Sequence, residues 1–178
     1  MPEMFLPEHE DPRVDAPYVG DERSTLAGFL TFQRDTFRLK CAGLTPEQLA
    51  RRAVEPSSMS LLGLIRHMAD VELGWFRTVL SGDDAPQPFR TPDNRDEAFD
   101  GVIGDAAHLA DAWAAWEKEV AYADQFTASA PDLSVTGVEK WRGPMSLRWV
   151  LVHMIEEYAR HNGHADLLRE RIDGAVGQ

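Results

Sequence analysis

Between Pro144 and Gly174 runs SLRWVLVHMIEEYARHNGHADLLRERID, which holds no proline and one internal glycine. Leu147, Leu151, Met154, Tyr158 and Ala165 recur in it at helical spacing, so the segment is expected to form one long helix, with Ser146 as its N-cap. It is the cleanest helical pattern in the chain, and its apolar stripe has to be buried against other elements.

Three more segments offer partners. DERSTLAGFLTFQRDTFRLKCAGL places Leu26, Phe29, Leu30, Gln33, Phe37 and Cys41 on one stripe and ends at Gly43, which predicts a first helix. Thr45 and Pro46 open a short connector helix in TPEQLARRAV. Ser58 or Ser60 caps a second long helix with Leu61, Leu64, Met68, Val71, Trp75 and Val79 on one face, closed by Gly82. A third is expected from about Asp96 to Phe126, with Leu109, Trp113, Trp116 and Val120 inward and a break near Gly101 or Gly104. Residues 127–144 show turn formers and β-branched residues without helical period, which suits a loop with a short strand or hairpin. The expected fold is therefore all-α, an antiparallel four-helix bundle with long loops. Residues 1–20, with Pro2, Pro7, Pro12 and Pro17, read as a proline-rich tail, and 21–178 as the domain.

With 178 residues the chain is long enough for one core. Its 18 basic and 30 acidic residues give a formal charge of −12, a field that repels nucleic acid and anionic membranes. No apolar run is long enough to span a bilayer, and the acidic, proline-broken start does not resemble a signal peptide, so a cytoplasmic location is expected. The single cysteine, Cys41, closes the stripe of the first helix and reads as a small core residue. Phe29, Phe37, Trp75, Trp113, Trp116 and Trp149 read as core at their helical spacing. Glu117, Glu119 and Asp124 read as a solvated face. The chain has no glycine-rich phosphate loop, no GxSxG elbow and no paired CxxC, so nucleotide binding, serine hydrolysis and zinc-ribbon readings lose their usual support.

What remains is a face of histidines. His153, Glu157, His161 and His164 fall within an arc of about 80° on the last helix, beside its apolar stripe. Glu157 and His161 are four apart, and His161 and His164 three apart, the spacings at which side chains of one helix converge on an ion. A third ligand has to come from a facing helix, where His67 in LIRHMADVE sits at the edge of the stripe, with Gly63 and Gly74 adding little bulk on its side. A lone flank histidine is more often a satisfied surface or core residue than a ligand; the clustering with a glutamate is what favours a metal. His108 and His9 have no such neighbours and are given no role.

SLLGLIRHMADVE, followed some eighty residues later by SLRWVLVHMIEEYARHNGHADLLRERIDG, resembles the DinB superfamily and its mycothiol-type S-transferase branch, over about Ser24 to Asp173. The resemblance implies a divalent metal, zinc or nickel, held by His67, Glu157 and His161 with positions left open. Many members have histidine where this chain has Glu157, with a carboxylate in relatives that use mycothiol, and His164 falls where many have glutamine. It implies a low-molecular-weight thiol that loses its proton at the metal and attacks an electrophile in detoxification, with His164, the candidate catalytic residue, or His153 relaying that proton or orienting Glu157. Loops 82–96 and 127–144 are expected to wall the pocket. The partners implied are a small-molecule thiol and an electrophile, with no nucleic acid and no membrane; a homodimer is compatible with it. Two other readings stay open: a non-catalytic metal-binding or dimerising bundle, and a metal-dependent hydrolase or isomerase on the same scaffold.

Overall fold

The computed structural model describes residues 11–177, so His9 and the first half of the proline-rich tail lie outside the described residues. Residues 11–20 form neither helix nor strand. The chain is mostly helical. In order come α1 (Glu22–Cys41), α2 (Pro46–Leu49), α3 (Leu61–Glu72), a π-helical segment (Leu73–Leu80), α4 (Glu97–Asp100), α5 (Ala106–Ser129), β1 (Thr136–Glu139), β2 (Gly143–Ser146) and α6 (Leu147–Asp173).

Helix starts follow the capping chemistry of the sequence. The Asp21 carboxylate accepts the Ser24 N–H, Thr45 and Gln48 form a reciprocal capping box, and Ser60 and Ser146 accept the N–H groups of Gly63 and Trp149. Gly43, Gly82 and Gly174 end their helices with φ of 75°, 67° and 82°, a region that glycine enters without strain. The expected third helix is broken at Gly101: α4 stops there and α5 restarts on the Asp105 cap.

The long helices pack in two pairs, α1 against α6 and α3 against α5, and α3 also touches α6 between them. Leu61, Leu64, Ile65 and Met68 of α3 meet Leu147, Leu151, Met154 and Tyr158 of α6 in one buried cluster with Phe37 and Trp116. The Phe37 ring lies 6.0 Å from Tyr158 and 6.4 Å from both Trp113 and Trp116. The only sheet among the described residues is an antiparallel hairpin, β1 with β2, in which Thr136 pairs with Ser146 and Glu139 with Gly143.

Three burial expectations are corrected. Phe29 is 49% exposed, because the inner face of α1 includes Arg34 and Lys40, which are buried and paired with Glu72 and Asp166. Trp149, at 39% exposed, lies against His153 instead of entering the core. Glu119 is buried, not solvated, since Arg77 of the π segment reaches across to its carboxylate; Glu117 and Asp124 do stay open to solvent.

Candidate metal centre

The α3–α6 contact brings His67 together with the flank of the last helix. One nitrogen each of His67 and His161 and one carboxylate oxygen of Glu157 lie within 4.8 Å of one another. The His67 and His161 rings meet at 4.9 Å and 71°. His161 is buried, and Glu157 and His67 are half-buried, so the three donors face a sheltered hollow between two helices.

Electrostatics favour the ligating forms of these groups. Burial, then the neighbouring His161, pulls the His67 imidazole down to about 4, so it is neutral at pH 7 and keeps a lone pair to offer. Its ring nitrogens have no hydrogen bond among the described residues, although the ring touches Phe99. A contact from His161, aided by His153 and Arg160, holds Glu157 below the usual carboxylate range. Two imidazoles and a carboxylate, with no thiolate, suit a borderline divalent ion.

The other two histidines of the arc sit on either side of this hollow. His164 places Nδ1 3.3 Å from Nδ1 of His161, and burial lowers its pKa, so it too is neutral near pH 7. His153 approaches Glu157 from the preceding turn, with Nε2 at 3.5 Å from Oε1. His108 instead bonds the Gly101 carbonyl and caps no site. Cys41 is fully enclosed, and burial pushes its thiol up to about 12, so it is no nucleophile.

Beside the triad opens a cavity of about 1060 Å³. His67 lines it, and so do Asp70, Gly74 and Trp75 further along the same helical rod. The loop of residues 84–96 forms one wall, and Glu139, Trp141 and Arg142 from the hairpin tip another, as the sequence led one to expect of these two regions. Of the two glycines beside His67, a Cβ at Gly74 would meet the end of Gln87 at an ordinary 3.5 Å, whereas one at Gly63 would stand 2.6 Å from Phe99, so Gly63 serves the close approach of α4.

Residues 25–174 match the family model described as mycothiol S-transferase. The chain belongs to this DinB-like family. The mycothiol S-transferase match takes in the helices that carry His67, Glu157 and His161. A crystal structure of a conserved protein from Enterococcus faecalis superposes with a TM-score of 0.60 at 20% identity, covering 88% of this chain and 99% of that one, which is a likeness of fold. No curated protein matches the chain. Among the described residues no helix is long and apolar enough to cross a membrane.

Two groups at this site escaped sequence reasoning. Asp70, one turn after His67, is buried at the cavity wall and accepts the Phe89 N–H at 3.1 Å. Its i, i+3 spacing puts it on the face of His67, but spacing does not tell a buried aspartate from a solvated one. Trp141 projects from the hairpin tip at 84% exposure, in a region whose lack of helical period gave no hint of direction.

Proposed function

We propose that this family member is a metal-dependent S-transferase, built on an antiparallel four-helix bundle spanning 21–178 behind a tail of 1–20, that joins a low-molecular-weight thiol of the mycothiol kind to an electrophile in the cytoplasm. The observation that carries the reading is the convergence of His67 with Glu157 and His161 beside a cavity far larger than an ion needs. Three protein donors leave positions free, the pattern of a catalytic site.

His67, Glu157 and His161 would hold a divalent ion, zinc or nickel, whose Lewis acidity would lower a thiol's pKa well below its free value of roughly 8.5. His67 and His161 present ring nitrogens to it, and Glu157 supplies a carboxylate oxygen. His164, neutral and in contact with His161, is the group we assign to take up the thiol proton. The cavity walls keep the rest of the thiol and the electrophile together, so that the two reactants meet in one orientation.

The test compares the parent with His161→Ala for bound metal and for thiol conjugation to a small alkylating electrophile. Loss of metal with a fall in rate of at least about a hundredfold is expected, since general acid–base and metal contributions are of that size or more. Undiminished conjugation by a metal-free His161→Ala protein refutes the proposal.

A further inference from the structure

The last helix carries a histidine outside the converging three, and its surroundings are unusually complete. The His153 ring is stacked on Trp149 of α6, centroids 4.9 Å apart at 16°, and meets Trp75 of the π segment edge-on at 4.7 Å and 69°. The two indoles also touch each other at 5.4 Å. An imidazole clamped from two sides by separate elements has little freedom left at χ1 or χ2.

This fixed ring points one nitrogen at Glu157. His153 Nε2 is 3.5 Å from Glu157 Oε1, while Glu157 Oε2 is 3.5 Å from Nε2 of His161. The other nitrogen, Nδ1, is 3.7 Å from the solvent-facing Glu156 carboxylate, beyond hydrogen-bond range. Each flanking histidine thus lies within ion-pair distance of a different oxygen of Glu157.

We propose that His153 is a positioning residue: it holds Oε1 of Glu157 and leaves Oε2 to face His67 and His161, which makes Glu157 a one-oxygen ligand. The inference rests on the metal reading above. Its physical reason is the side chain involved. Glutamate has a third, broad side-chain torsion that a histidine ligand lacks, and at 18% exposure Glu157 can turn toward water unless something holds it. The tryptophan clamp sets that restraint during folding, so ion binding does not bear its ordering cost. Metal ligands commonly depend on such outer partners for orientation.

The experiment uses the full chain, stripped of metal. Zinc affinity is measured by competition with a chromophoric chelator, coordination by the visible spectrum of the cobalt(II) form, and apo melting temperature by circular dichroism, for the parent, His153→Phe and His153→Gln. Phenylalanine keeps a ring in the clamp without a donor; glutamine restores an N–H near the position of Nε2. Expected are a zinc affinity about 10- to 100-fold weaker in His153→Phe, a weaker cobalt band as Glu157 engages with both oxygens, near-parental values for His153→Gln, and no matching fall in apo stability. Parental affinity and spectrum in His153→Phe overturn the inference and leave the metal reading intact. So does an affinity loss that merely follows a loss of apo stability in both variants. Failure of the parent itself to bind zinc or cobalt overturns the metal reading and this inference with it. Should His153→Phe not fold, the cycle is run with His153→Gln and His153→Ala in parent and Glu157→Ala backgrounds: an alanine effect that persists without Glu157 counts against the role, and one that vanishes supports it.

Discussion

Asp70 shows what a single side chain contributes here beyond ligation. Its carboxyl is buried at the cavity wall, and burial raises its pKa to about 6, against partial relief from the Phe89 N–H and from Arg66 and Arg90. The folded state therefore holds this proton more tightly than the unfolded chain, whose aspartate titrates near 3.9. Stability from this group is present below about pH 4 and is lost as pH rises through 6. Asp70→Asn keeps an acceptor for Phe89 and removes the charge. We expect it to match the parent near pH 4 and to exceed it by about 1 to 2 kcal/mol above pH 7, a discount on the full pKa difference because the carboxyl borders the cavity. Urea titrations at both pH values check this, and equal stability at pH 7 contradicts it. Glu157 and His161 were readable as neighbours from their spacing, since i, i+4 positions on one helix face meet by geometry, whereas His67 stood out as the one histidine of the facing helix and the choice of these three came from the family resemblance. Asp70 was not readable, because nothing local tells a buried aspartate from a solvated one.

At the scale of elements, caps and periods carried the reading, and paired charges and the π segment limited it. Thr45, Ser146 and the pair Ser58 and Ser60 announce helix starts because side-chain oxygens next to helical patterns have few other uses. Phe29 misled because the stripe of α1 counts Arg34 as polar, whereas the folded chain buries it between Glu72, with both bonds at 2.7 Å, and Asp124. Tyr158 donates to the same Glu72 and accepts from Trp116, which completes the network. The π turn from Leu73 to Leu80 likewise leaves no mark in a 3.6-residue pattern, yet it brings Trp75 to His153 and Thr78 to the cavity. It is also the seat of the hairpin. A Cβ on Gly137 would lie 1.8 Å from the Val79 carbonyl oxygen, so only glycine lets β1 close on the π segment. Gly137→Ala is expected to lift the hairpin while α6 keeps its core, costing about 1 to 3 kcal/mol. Amide exchange should speed up in 136–146 and stay slow in 150–170; unchanged protection of the hairpin counts against this docking.

Over the whole molecule, the proposed ion joins α3 to α6, two elements already held by the core residues Leu64, Met68, Leu151 and Met154. The centre is therefore preformed, and metal should act on stability by mass action instead of creating the fold. At a free zinc concentration a hundred times Kd the gain is about 2.7 kcal/mol, and for a chain of this size each kcal/mol moves Tm by about 2 to 4 °C. A rise of about 5 to 11 °C on saturation is expected, reversed by a chelator and missing in His67→Ala, with helical circular dichroism unchanged between apo and loaded protein. An apo protein that loses most of its helix identifies instead an ion on which folding depends, as in small zinc domains, and contradicts a site whose walls stand without it. The distinction matters for the chemistry: donors held by a packed helical core can leave positions free for a thiol, because the fold does not need the ion to fill its own coordination shell.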